Sequence, residues 1–241
     1  MTINYAHRGA SGYFPENTML AFECAVEMGC DGIETDVQMT SDGELVLIHD
    51  EYVDRTTDST GLVKNYTFKD LRRLNASSWY NKNLPPQQIP TAEELLNMAK
   101  SKGIKINFEL KTGIVIYPNI EKKIIQLIYK HNMQNNVILS SFNHYSMVEC
   151  KNIDKSLKAG LLYVEGLYRP SRYCASVGCD AIHPDFHSLT KEIIAEAKQD
   201  KILVNSYTVN DEEEMKKLIS WNIDGIITNY PDKLSKLLCK A

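Results

Sequence analysis

Apolar, β-rich runs alternate with helical patterns along the whole chain, and this alternation constrains the fold more than any other feature. Residues 3–7 ("INYAH"), 32–40, 44–49, 104–110, 136–141, 157–164, 180–184, 201–209 and 224–228 read as strands. Helical patterns fill the gaps, at about 17–29, 91–102, 118–132, 143–151, 169–177, 190–199, 211–220 and 231–239. Asn17, Thr91, Asn143, Thr190, Asn210 and Asn229 or Pro231 stand where helices should start, and Gly29, Gly103 and Gly178 where they should end. Short loops between such units imply a parallel sheet with right-handed crossovers. About eight units within 241 residues predict a closed (β/α)8 TIM barrel, one domain over 1–241. One region breaks the alternation. Residues 50–90 are polar, turn-rich and closed by prolines, and they read as a small insertion over one mouth of the barrel, after the second strand region.

Composition excludes some functions. The net charge is −4 and no basic stripe appears, so no nucleic-acid partner is expected. The longest apolar stretches, such as "LVLI" and "IIQLI", fall far short of the roughly 20 residues that span a bilayer. "MTINYAHRG" has neither a basic nor a long apolar leader region, so a cytoplasmic protein is expected. Six scattered cysteines (Cys24, Cys30, Cys150, Cys174, Cys179, Cys239) include no C-x-x-C pair, which argues against structural zinc and for reduced, semi-buried thiols.

The chemistry concentrates near the N-terminus. In "GIETDVQMTSDGELVLIHD", Glu34, Asp36 and Gln38 share one face of a strand. Two acids on a mostly apolar strand are costly to bury without compensation, and a hard divalent cation compensates carboxylates well. Asp42-Gly43 reads as a two-residue hairpin turn, and that register sets Asp36 opposite His49. In "INFELKTG", Glu109 and Lys111 alternate near a strand end, either as a salt bridge or as part of a three-carboxylate cation site. His7 ends the first strand, on the face where barrel active sites sit, and Arg8 beside it offers a fork to phosphate. His7 and His49 near a carboxylate-bound cation suit acid–base phosphoryl chemistry.

Together these residues resemble the glycerophosphodiester phosphodiesterases. The ordered set is His7-Arg8-Gly9, Pro15-Glu16-Asn17-Thr18, Glu34-Thr35-Asp36-Val37, Thr40-Ser41-Asp42-Gly43, His49-Asp50 and Glu109-Leu110-Lys111. "DRTTDSTG", "IPTAEELL", "SSFNH", "YTVN" and "DGIITNYP" extend the likeness over essentially the whole chain. The resemblance implies a TIM barrel and one cation, Mg²⁺ or Ca²⁺, held by Glu34, Asp36 and Glu109. It implies His7 and His49 as acid and base, with Arg8 and Lys111 on the phosphate. The implied substrates are small glycerophosphodiesters such as glycerophosphocholine and glycerophosphoethanolamine, cleaved to sn-glycerol 3-phosphate and an alcohol. Tyr207 stands where many relatives carry tryptophan, as an aromatic wall for substrate or as a core residue.

Other residues carry blander expectations. His144 reads as a surface or capping residue, and the orientation of His183 is open. Glu212-Glu213-Glu214 should open a helix. Phe14 and Trp79 belong either to an apolar rim or to ordinary packing. Two competing functions are a phospholipase D-like enzyme on intact lipids, which requires an exposed apolar entry surface or disulfide-braced secretion, and a non-catalytic metal- or phosphate-binding barrel.

Overall fold

The computed structural model of the protein describes residues 1–81 and 83–238. Cys239 lies outside the described residues. The strands are β1 (Ile3–His7), β2 (Gly32–Met39), β3 (Leu45–Leu47), β4 (Lys105–Leu110), β5 (Val137–Ser141), β6 (Lys158–Tyr163), β7 (Ala181–Pro184), β8 (Leu203–Ser206) and β9 (Gly225–Thr228). The helices are α1 (Met19–Glu27), α2 (Phe68–Leu71), α3 (Ala92–Lys102), α4 (Ile120–Lys130), α5 (His144–Ile153), α6 (Pro170–Ser176), α7 (Lys191–Gln199), α8 (Glu212–Ser220) and α9 (Pro231–Leu238). Neighbouring strands run β1-β9-β8-β7-β6-β5-β4-β2, and the β1–β2 pairing closes the ring. All eight pairings are parallel, which makes the fold a (β/α)8 barrel. β3 pairs antiparallel outside the ring, on β2.

Alternation along each strand divides the core. Ile33, Val37, Ile106, Phe108, Leu139 and Ile182 pack in the main apolar cluster with helix residues such as Phe22, Leu96 and Ile124. The opposite faces of the strands fill the barrel with polar groups, among them Glu34, Asp36, Asn107, Glu109, His183 and Asn205, all buried. Gly160 is what lets His183 lie there: a Cβ at 160 would stand 2.6 Å from His183 Nε2.

Helix starts follow the sequence with two shifts. Thr91 and Glu94 form a reciprocal capping box on α3, and Asn143 and Thr190 cap α5 and α7. Thr18, rather than Asn17, caps α1, and Asp211, rather than Asn210, caps α8. Both true caps lie one residue further on, because Asn17 and Asn210 bond elsewhere.

The β2–β3 hairpin corrects the predicted register. Val37 pairs with Leu47 and Met39 with Leu45, and the Thr40 and Glu44 backbones meet at 3.0 Å. The turn therefore holds Ser41, Asp42 and Gly43, with Gly43 left-handed at φ 88°. Aspartate–glycine serves both a two-residue turn and this three-residue turn, whose last position favours glycine. The extra residue sets Ile48, not His49, against Asp36, with Ile48 N donating to the Asp36 carbonyl at 3.1 Å.

After β3, the segment 50–90 gathers a second small apolar cluster of Val46, Ile48, Val53, Val63, Leu71, Ala76 and Ile89. Arg72 ties it to α3 with two 3.0 Å bonds to Glu94.

Candidate active site

The candidate site lies at the C-terminal ends of the barrel strands. β1 carries His7 at its last position, paired with Glu34 of β2. One step higher, Asp36 of β2 is paired with Glu109 of β4. Closure of the barrel thus brings together residues 7, 34, 36 and 109 from three strands. One carboxylate oxygen from each of Glu34, Asp36 and Glu109 lies within 4.8 Å of the others, and all three residues are buried.

Like charges this close cannot all ionise at no cost. Burial, reinforced by Asp36 and Glu109, pushes the Glu34 carboxyl well above the usual range. Burial and Asp36 push Glu109 up as well. Burial acts on Asp36 in the same sense, but Arg8 and Lys111 outweigh it and hold that carboxyl low. Lys111 Nζ donates to Glu109 Oε1 at 2.8 Å and stands 3.8 Å from Asp36, while Arg8 Nε is 3.4 Å from Asp36. Among the described residues, Glu34 Oε2 is buried without a hydrogen-bond partner. An all-oxygen donor set with one orphaned carboxylate oxygen fits a hard divalent cation such as Mg²⁺ or Ca²⁺.

The two histidines reach the same cavity by different routes. His7 Nδ1 lies 2.6 Å from Asn229 Oδ1, so with this amide orientation Nδ1 carries the hydrogen and Nε2 is left as an acceptor. Burial, then Arg8, lowers the His7 pKa to about 4. Its 3.9 Å approach to Glu34 is therefore made by a neutral ring at neutral pH. His49 stands beyond the end of β3, and its Nδ1 is 2.6 Å from Asp50. Although burial opposes it, hydrogen bonding to Arg55 lowers the Asp50 pKa to about 2. An ionised Asp50 only accepts, so His49 Nδ1 donates and the Nε2 edge of the ring is left for the cavity.

His7, Arg8, Glu34, His49, Glu109 and Tyr207 all line one cavity of about 160 Å³. Lys111 is set beside it through Glu109. Phe142 and Leu162 form an apolar wall of the same cavity, and Phe142 meets Tyr207 edge to face at 6.0 Å. The Tyr207 hydroxyl donates to the Tyr163 carbonyl at 3.0 Å, so the ring faces the cavity while the hydroxyl fixes it to β6. A larger hollow of about 570 Å³ is lined by Met19, Arg72, Asn75 and Gln88 among others, with Arg72 already engaged by Glu94 and no histidine among the described lining residues.

Several residues at the site were not singled out as site residues by the sequence reading. Asn17, at φ 53°, donates to Asp36 Oδ2 at 2.9 Å and accepts from Thr35 at 2.7 Å. Glu16 accepts from Arg8 at 2.9 Å. Asn229, Phe142 and Arg55 come from distant loops. The motif Pro15-Glu16-Asn17-Thr18 was the available signal for the first two, but a helix start explained it equally well. His144 bonds the Leu162 carbonyl and Tyr173, and His183 lies inside the barrel between Asn107 and Asn205. Phe14 packs on the main core, while Trp79 is exposed.

A parallel eight-stranded barrel with a carboxylate cluster and two histidines at the strand C-termini defines a TIM-barrel enzyme with a candidate cation site. The chain belongs to the glycerophosphoryl diester phosphodiesterase family, whose profile matches residues 7–233. It is 41% identical over 240 residues to a glycerophosphodiester phosphodiesterase of Caldanaerobacter subterraneus, covering 100% of this chain and 99% of that one. A Bacillus subtilis glycerophosphodiester phosphodiesterase is 36% identical, over 98% of this chain and 86% of its own. Among solved structures, an Oleispira antarctica phosphodiesterase in complex with the product sn-glycerol-3-phosphate superposes with a TM-score of 0.89 at 27% identity, over 98% of this chain and 96% of that one. Among the described residues no helix is long and apolar enough to cross a membrane.

Proposed function

We propose that this enzyme hydrolyses small glycerophosphodiesters, such as glycerophosphocholine and glycerophosphoethanolamine, to sn-glycerol 3-phosphate and the free alcohol. The observation that carries this reading is the cluster of three buried acids, with Glu34 Oε2 orphaned, beside a cavity lined by Glu34, Glu109 and two histidines whose Nδ1 atoms are engaged by Asn229 and Asp50. Glu34, Asp36 and Glu109 hold one divalent cation, Mg²⁺ or Ca²⁺. When bound, the cation supplies Lewis-acid neutralisation of charge on the phosphorus oxygens. Arg8 and Lys111 contact the same oxygens, and the Tyr207 ring walls the substrate.

His7, neutral because burial lowers its pKa to about 4, accepts at Nε2 the proton of the nucleophile. The nucleophile is water or the glycerol 2-hydroxyl; in the second case the 1,2-cyclic phosphate left as the alcohol departs is opened by water to glycerol 3-phosphate. His49 delivers a proton from Nε2 to the leaving alkoxide, and the Asp50 carboxylate stabilises the imidazolium that precedes this transfer. Rapid-quench detection of a 1,2-cyclic glycerophosphate would select the 2-hydroxyl; its absence would select water. We read residues 1–241 as one cytoplasmic domain, with 50–90 as a small insertion over the mouth.

The test is hydrolysis of glycerophosphocholine by chelated protein, with Mg²⁺, Ca²⁺ or neither restored and glycerol 3-phosphate measured. The reading requires cation-dependent release that disappears in His7→Ala and Glu34→Ala. No release with any cation, across several glycerophosphodiesters, sinks it. One observation favours a second reading, on lipid substrates. Ile114, Ile116 and Tyr168, on the loops after β4 and β6, and Tyr145, in the first turn of α5, are 78%, 84%, 87% and 88% exposed. Faster cleavage of lysophosphatidylcholine than of glycerophosphocholine would select it.

A further inference from the structure

We propose that Arg55, supplied by the insertion, is a positioning residue for the reaction: through Asp50 it fixes His49, and through Glu16 it fixes Arg8. The inference rests on the proposed roles of His49 and Arg8. Its ground is a chain of short contacts. Arg55 Nε and Nη2 donate to Asp50 at 2.7 and 3.1 Å. Its Nη1 and Nη2 donate to Glu16 at 2.9 and 2.8 Å. Each carboxylate then grips one cavity residue: Asp50 accepts from His49 Nδ1 at 2.6 Å, and Glu16 accepts from Arg8 Nη1 at 2.9 Å.

Two features separate this from an ordinary surface ion pair. The Arg55 side chain is 44% exposed, yet it spends a bidentate fork on each of two carboxylates, one of them the nearly buried Glu16. The carboxylates also come from different parts of the chain, the loop after β1 and the end of the β3 segment. Without Arg55 they would be neighbouring anions, free to draw apart with His49 and Arg8 attached. A guanidinium holds both in one plane; an ammonium offers a point charge and no fork. Arg55 itself bonds none of the acids of the cation cluster and reaches Asp36 only through Glu16 and Arg8, so its effect should fall mainly on turnover.

The experiment uses the full, cation-loaded chain and the variants Arg55→Met, Arg55→Lys, Asp50→Asn and the double Arg55→Met/Asp50→Asn. Small misplacements of a reacting group cost on the order of 10²-fold in rate, and that is the kcat loss expected for Arg55→Met, with less in Arg55→Lys. If Arg55 acts on His49 through Asp50, the double variant should lose less than the product of the single losses. A second readout needs no turnover: the imidazole ¹⁵N spectrum of His49 in the resting protein. Recorded at a pH where the ring is neutral, the wild type should hold its hydrogen on Nδ1, and Arg55→Met should show mixed tautomers. A wild-type spectrum and wild-type kcat in Arg55→Met, or strictly multiplicative losses, would overturn the proposal and leave Arg55 as a staple of the insertion. If Arg55→Met does not fold, Arg55→Lys decides on the same readouts. If the wild type cleaves no diester, the functional reading fails by itself, and the spectrum alone decides whether Arg55 sets His49.

Discussion

Glu34 is the buried acid with the least help from protein donors, since its Oε2 has no hydrogen-bond partner among the described residues. Burial and its acidic neighbours raise its pKa, so the folded chain holds this proton more tightly than the unfolded chain does. The sign follows: as pH rises above the ordinary glutamate value, the unfolded state releases the proton first, and Glu34 subtracts from stability. Glu34→Gln, which resembles the protonated acid, should therefore leave the cation-free protein at least as stable, while abolishing the rise in Tm that cation gives the wild type. Thermal melts with and without Mg²⁺ or Ca²⁺ check both. A Glu34→Gln protein still stabilised by cation would move the cation elsewhere. For the same reason cation binding displaces a proton, and affinity measured calorimetrically should rise with pH. Gly160 gives a second test at this scale. Gly160→Ala drives a methyl into His183, and overpacking of this kind costs about 1–3 kcal/mol, readable in urea.

At the scale of elements, α3 starts where the sequence places it because Thr91 and Glu94 satisfy each other's backbone donors. Loss of such a cap costs about 1 kcal/mol, so Thr91→Ala should lower the unfolding free energy by that amount, seen as a lower urea midpoint at an unchanged slope. The β2–β3 hairpin was read less well. Thr40-Ser41-Asp42-Gly43-Glu44 supports two turn lengths, and local residues do not choose between them. The longer turn fits here because the Ser41 amide and hydroxyl both reach the Tyr66 carbonyl, while Phe68 N donates to Asp42. Those partners lie some 25 residues away, beyond any local pattern. His49 still faces the cavity, but it does so from the irregular segment after β3 and with Asp50 holding it, not by pairing with Asp36.

At the scale of the whole molecule, closure of the barrel buries an imidazole. His183 is fully buried, and burial lowers its pKa to about 3. The unfolded chain takes up this proton near pH 6.5 and the folded chain does not, so stability should fall as pH drops from about 6.5 towards 3. The slope contributed by one such group approaches about 1.4 kcal/mol per pH unit. His183→Gln should flatten the acid limb of a stability–pH profile; an unchanged limb would show that other groups set it.

The sequence by itself determined the order and kind of elements, because hydrophobic period and capping chemistry are local. It also determined that Glu34 and Asp36 share a face, because strand alternation is geometry. It brought Glu109, His7 and His49 into the argument only as residue types in the right places. Tertiary structure decided that they meet, since only ring closure sets β1 against β2 and β2 against β4 in register. Tertiary structure alone decided the supports as well. Asn229 on His7, Asn17 on Asp36 and Arg55 between Glu16 and Asp50 are polar loop residues within motifs that marked the family, but polar pattern by itself gives them no partner. Their roles come from distance in space, which the polar pattern of a loop does not encode.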